Sequence, residues 1–226
     1  MNLETSKTLG GVGAILTLIG FFGVLGIPYL AVASLLGLIL ILIALNGMAS
    51  VYKDQSIFSY SLYGFIAGIV GAVVAAVVGI VAFFTYVNQL KDFLLQIYPS
   101  WDGKWSDISK LRGMTAQTSH LNASGILPFV GLVVLALVIF WAFLLVWAFL
   151  ARKSLKTLAV KSGVGMFSTA SLLLIIGAAL TIVLIGVVVV WIAVLLLAIA
   201  FFQMKPQSEQ PPPATYAEPP TQPTPV

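Results

Sequence analysis

The chain has 226 residues, 60% of them hydrophobic and 8% charged, with mean hydropathy +1.10 and a formal net charge of +4. Eleven basic and seven acidic side chains are too few to coat a soluble globule, about a quarter of whose residues are normally charged. No nucleic-acid motif accompanies the positive charge, and with no cysteine there is no disulfide, thiolate metal site, cysteine nucleophile or palmitoylation site.

Residues 9–49 contain no charged side chain. One helix of that length would reach about 60 Å, twice the roughly 30 Å hydrocarbon core, so the segment must fold back. Gly26-Ile27-Pro28 is the expected turn, because proline ends a helix and the residue before it disfavours helical geometry. The first two spans are then 9–25 and 29–49. Ala31-Val32-Ala33 has the small-x-small form of a signal-peptidase site. The weakly basic leader and the second apolar span instead predict a retained hairpin.

A polar hinge at Lys53 and Asp54 precedes a third span, 57–87, and residues 88–125 form the one sizeable loop. Within that loop Leu90, Phe93, Leu94 and Ile97 recur at helical spacing, which predicts a short amphipathic helix lying on the membrane surface. Pro99 to Trp105 reads as a turn with two tryptophans at headgroup level. The fourth span is 126–151, with Pro128 in its first turn. A basic linker over 152–162 is expected to form a separate interfacial helix. Residues 164–203 are again uncharged and too long for one crossing, so they divide near Leu184–Gly186 into spans 165–184 and 186–203.

From residue 205 onward the composition changes: the tail 205–226 holds eight of the eleven prolines and predicts a disordered, polyproline-biased segment. The fold class expected is all-α, a polytopic transmembrane bundle of six helices over 1–204, with two tight hairpins flanking two longer central helices. Lys7, Lys53, Arg152, Lys153, Lys156, Lys161 and Lys205 fall on one side. Lys91, Lys104, Lys110 and Arg112 fall on the other, within the longer loop. The denser side is expected to be cytoplasmic, with both termini on it, in a cell membrane.

Leu9-Gly10-Gly11-Val12-Gly13, the hinge Tyr52-Lys53-Asp54-Gln55-Ser56-Ile57-Phe58, and Lys161-Ser162-Gly163-Val164-Gly165 followed by Phe167, Thr169 and Ala170 form an ordered set. Gly177-Ala178 and the ending Leu197-Ala198-Ile199-Ala200-Phe201-Phe202 complete it. Over about residues 5–204 the chain resembles a mostly archaeal family of multi-pass membrane proteins, domain-of-unknown-function family nine-nine-six. The resemblance implies a membrane fold of this kind and carries no activity or site residues. Gly11-Val12-Gly13 and Gly163-Val164-Gly165 also echo one another, each opening an uncharged block of about forty residues, as a parallel internal repeat would.

Every acidic residue, lysine and arginine, and His120, lies outside the expected spans. Ionisable groups inside a membrane mark proton relays and ion paths, so their absence argues against a proton-coupled transporter or pump. No nucleophile–base pair, metal cluster or phosphate loop is recognisable, and no catalytic role, cofactor or metal is expected. Asp92, Asp102, Asp107 and His120 are spaced unlike any metal-ligand pattern and read as solvated loop residues.

Gly64, Gly68, Gly71 and Gly79 are candidates for close helix packing, within the bundle or against a homo-oligomer or membrane partner. Asn46 is the clearest polar residue bordering a span, expected to meet a neighbouring helix or a headgroup. Arg152, Lys153, Lys156 and Lys161 form a basic cluster expected to face anionic lipid. Phe140, Trp141, Phe143, Trp147 and Phe149 read as interfacial anchors. Asn122-Ala123-Ser124 is a formal glycosylation sequon standing too close to the fourth span to be expected to carry sugar.

The expected partners are membrane lipids, a second copy or another membrane protein, and a cytoplasmic partner for the proline-rich tail, with no nucleic acid. The leading functional expectation is a non-enzymatic accessory or scaffold protein acting through helix packing. The alternative is a carrier or channel for a small neutral or apolar solute.

Overall fold

A computed structural model describes residues 2–25, 28–117 and 121–205. They form six α-helices: α1 (Leu3–Gly20), α2 (Pro28–Val51), α3 (Ser56–Ile97), α4 (Leu127–Ser162), α5 (Met166–Leu180) and α6 (Ile185–Gln203). Six helices are long and apolar enough to cross a membrane, so the chain is an all-α polytopic transmembrane bundle. The proline-rich tail from 206 onward lies outside the described residues.

α1 starts at Leu3, six residues before the apolar block. The Asn2 carboxamide oxygen accepts the Thr5 N–H at 2.8 Å, and Glu4 stands in the first turn, where the helix dipole favours an anion. The polar residues 4–8 therefore belong to the helix, ahead of the span expected from residue 9. α1 ends in a tight 3₁₀ turn, Phe21–Leu25, and Pro28 opens α2.

The third span and the expected surface helix belong to one run, α3, interrupted only at Tyr86, whose φ of −115° and ψ of 18° are not helical. The basic linker is a correction of a different kind. Residues 152–162 do not form a separate helix but continue α4 without a break to Ser162. The reason is a buried stripe, Ser154, Leu155, Leu158, Ala159 and Ser162, that keeps this stretch on the bundle. Gly163, in left-handed geometry with φ 71°, then stops it as a C-terminal glycine does.

α5 and α6 are separated by a 3₁₀ turn at Thr181–Val183 and by Leu184, a non-glycine residue at φ 64° that costs roughly 1–2 kcal/mol of backbone strain. Glycines bring these two helices close enough to sustain that turn. A Cβ on Gly177 would lie 2.7 Å from a Val190 methyl carbon and 2.8 Å from the Val190 backbone nitrogen.

Each helix packs against its sequence neighbours and α6 returns to α1, so the helices form a closed ring. The core lies near one end, the face that carries residues 2–7, the α2–α3 turn, the α4–α5 turn and the end of α6; we call it the terminal face. There Met48, Ile57, Leu158, Phe167, Phe201 and Met204 are fully buried. Phe167 and Phe201 meet edge to face with ring centroids 5.1 Å apart, a favoured aromatic geometry.

Toward the opposite face, α3 and α4 continue as a pair. Between Ile66 and Phe84 only Gly71 and Ala82 of α3 are buried, and Val77, Ile80 and Val81 are more than half exposed. The two Gly-Val-Gly segments occupy different structural positions. Gly11 to Gly13 lie inside α1, and Gly163 to Gly165 lie in the turn before α5.

Candidate functional site

Two features stand out at side-chain level: the seam between α3 and α4, and the outward face of the last turns of α4. On the seam, the four candidate glycines divide. A Cβ on Gly64 would lie 3.3 Å from the Leu150 Cβ and the Trp147 carbonyl oxygen, and one on Gly71 would press to 2.7 Å from the Phe143 ring. Gly68 looks at the Trp147 indole from 3.7 Å, whereas a Cβ on Gly79 meets nothing within 4 Å. Three glycines therefore serve the chain's own bundle. Gly79 faces outward with Ala72 and Ala76, both exposed and within about a third of a turn of it around α3.

The glycine gaps explain the aromatic cluster of α4, and here the interfacial-anchor expectation is corrected. Phe143 and Trp147 fill the seam against Gly71, Gly64 and Gly68, and the Trp141 indole N–H donates to the Ala178 carbonyl of α5 at 3.0 Å. Only Phe140 and Phe149 are left exposed.

Sequence reasoning missed Ser154. Its hydroxyl is fully buried, donates to the Ile57 carbonyl at 2.5 Å and accepts from the Ser61 hydroxyl at 2.8 Å, tying α4 to the start of α3. The available signal was the apolar spacing of Leu155, Leu158 and Ala159, which continues a helical stripe through the lysines. Asn46 lies exposed on α2, and its carbonyl accepts the Ser50 hydroxyl at 3.2 Å.

The basic residues occupy the other side of the same helix turns. Lys153 and Lys156 are exposed on the side opposite the buried stripe, Lys161 is exposed at the edge of that stripe, and Arg152 is half-buried. The Lys153 ammonium sits 5.4 Å from the Tyr60 ring centroid and 5.0 Å from that of Phe149, within cation–π range of both. Lys161 reaches the Asp54 carboxylate at 3.7 Å. Asp54 also accepts from the Ser56 hydroxyl at 2.6 Å and the Ser56 N–H at 3.1 Å. The Ser56 hydroxyl bond, then the backbone bond, with a smaller contribution from Lys161, hold the Asp54 carboxyl below its ordinary range. Tyr60, Lys153, Lys156, Thr157, Val160 and Lys161 line an open groove of about 410 Å³.

On the loop face, Trp101 is buried rather than seated at the surface, with Trp105 5.7 Å away and Phe83 of α3 5.8 Å beyond that. Asp102 accepts the Lys104 N–H at 3.0 Å and pairs with the Lys104 ammonium at 3.4 Å; the backbone bond, first among these, lowers its pKa. Asp107 pairs with Lys110 at 3.0 Å, and Asp92 is exposed. His120 lies outside the described residues, and among those described no three metal-ligating side chains come together. The sequon's Asn122 oxygen accepts the Ser124 N–H at 3.0 Å and its hydroxyl at 2.7 Å, an ordinary turn.

Apolar helices of spanning length, closed into a ring with their charged groups gathered at the ends, define an integral membrane protein of the polytopic α-helical class. The chain belongs to the family described as a protein of unknown function, DUF996, which matches residues 33–195. An uncharacterized protein of Methanocaldococcus jannaschii, MJ1644, is 28% identical over 204 residues, covering 90% of this chain and 94% of that protein. No solved structure matches the chain.

Proposed function

We propose that this is a non-enzymatic accessory or scaffold protein of the cell membrane, with both termini in the cytoplasm, acting through lateral packing of α3. The observation that carries the reading is the division of the small residues on that helix. Gly64 and Gly71 are consumed by the α3–α4 seam, while Ala72, Ala76 and Gly79 make a separate small-residue face, with open space at Gly79. In a bilayer such a face lets another helix approach to backbone distance, which is how transmembrane helices associate without a hydrophobic driving force.

Three hydroxyl side chains within the spans are spent on carbonyls, which supports this reading over a carrier. Thr17 donates to Gly13 at 2.9 Å, Ser171 to Ser168 at 2.7 Å and Thr181 to Gly177 at 2.8 Å. The basic turns of α4 and the α2–α3 hinge lie on the terminal face, which supports placing that face in the cytoplasm.

Because the chain has no cysteine, an introduced thiol is unique. In native membranes, Ala76→Cys is expected to form a disulfide dimer or a bifunctional-reagent cross-link to a neighbouring protein, and Gly71→Cys, turned onto Phe143, is not. An Ala76→Cys chain that stays monomeric and uncross-linked under both treatments defeats the reading.

A further inference from the structure

We propose that the groove beside Lys153 and Lys156 is a binding site for the phosphate headgroup of an anionic phospholipid. Three ammonium groups line it, and they are not equivalent. Lys161 is paired with Asp54 at 3.7 Å, whereas neither Lys153 nor Lys156 has a carboxylate partner among the described residues. Thr157 donates its hydroxyl to the Lys153 carbonyl at 3.1 Å, so the groove's donors for an anion are the Lys153 and Lys156 ammoniums and the Tyr60 phenol. Cation–π contact with Tyr60 and Phe149 fixes the Lys153 ammonium at the rim of the groove rather than leaving it to sweep through solvent.

Depth selects the ligand. The headgroup layer is roughly 5–7 Å thick on each side of the hydrocarbon, and successive helix residues rise about 1.5 Å. The uncharged stretch of α4 ends at Ala151, so Lys153 stands about 3 Å and Lys156 about 7.5 Å further along the axis, the first inside that layer and the second at its outer edge. Lys161 stands about 15 Å past Ala151, beyond the layer, where Asp54 supplies its counter-charge.

The same face of α4 runs into the membrane through Phe149 and Val146, 53% and 49% exposed, at helical spacing from Lys153. An acyl chain lying along Val146 and Phe149 brings its own phosphate to the two lysines. A free phosphate gains nothing from that apolar track, which is why the site is assigned to a lipid.

The test uses the full chain in mild detergent, with phosphatidylglycerol or phosphatidylcholine added and retained lipid read by native mass spectrometry. Phosphatidylglycerol should be kept in preference to phosphatidylcholine. The double variant Lys153→Gln/Lys156→Gln should lose that preference, weakening retention about 30-fold for two surface charges. The control Lys104→Gln/Lys110→Gln, on the opposite face, should behave as the parent. An unchanged melting temperature in each variant confirms that the fold is intact. Equal retention of the two lipids, or undiminished phosphatidylglycerol binding in the lysine variant, overturns the proposal. So does complete displacement of the lipid by millimolar inorganic phosphate, which would make the groove a site for a soluble anion.

Discussion

The two ends of the bundle are built on different terms. At the terminal face six helix ends converge on Phe167, Phe201, Met48 and Leu158, all fully buried, and Gly10 and Gly11 leave room for the Phe201 and Phe202 rings. At the other end α3 and α4 continue as a pair whose valines and isoleucines are about half exposed. In water the second region would be an aggregation hazard. In lipid its exposed side chains cost nothing, and tight packing there is needed only where a neighbour must be held. The contrast locates stability at the terminal face and leaves the outer α3–α4 pair available for lateral association.

That division is open to attack at several points. Phe201→Ala removes one of the two fully buried, edge-to-face rings at the terminal face and should cost about 3–5 kcal/mol, read as thermal unfolding in detergent. Gly71→Leu forces a side chain into Phe143 and should cost about 1–3 kcal/mol by the same measurement. Ser154→Ala breaks the link from α4 to Ile57 and Ser61 and should cost about 0.6–1.7 kcal/mol, the range for hydrogen bonds between membrane helices.

Asp54 gives a pH signature. Its folded pKa is depressed, so its stabilising contribution is complete above the ordinary carboxylate pKa and is lost as pH falls through the lower, folded value. Unfolding midpoints of the parent chain should therefore drop on acidification below the usual carboxylate range, and Asp54→Asn should flatten that part of the profile. The smallest effect is expected from Gly79→Val, within about 0.5 kcal/mol of the parent, because the added carbons enter open space. A Gly79 variant as damaging as the Gly71 variant would erase the distinction between the two regions.

Much of the architecture was legible because a bilayer imposes a length rule that composition alone can test. The two uncharged blocks, 9–49 and 164–203, had to double back, and the turn residue Leu184 lies where the second block was divided. What escaped were features set by packing rather than hydropathy. Residues 152–162 read as a separate basic element because four charges mask the buried stripe from Ser154 to Ser162. The start of α1 was hidden because a cap at Asn2, not an apolar residue, begins the helix.

The candidate residues were legible to different depths. Gly64 and Gly71 were identifiable as small residues on a helix, but that Gly79 faces open space depends on where Phe143 and Trp147 lie, which spacing on α3 does not encode. The lysine cluster was visible. Its separation into a paired Lys161 and an unpaired Lys153 and Lys156 follows from Asp54 folding back beside α4, a contact across more than a hundred residues of sequence.

The most direct measurement concerns the point where both regions join, the register of α3 against the continuous end of α4. In this cysteine-free chain, Ser61→Cys with Ser154→Cys places two thiols where hydroxyl oxygens are 2.8 Å apart, and mild oxidation in membranes should close a disulfide rapidly. Ser61→Cys with Thr157→Cys, on the outward side of α4, should remain reduced. If the second pair closes and the first does not, the lysine-bearing turns of α4 do not lie on the bundle with their serine inward, and the terminal-face core as described is wrong.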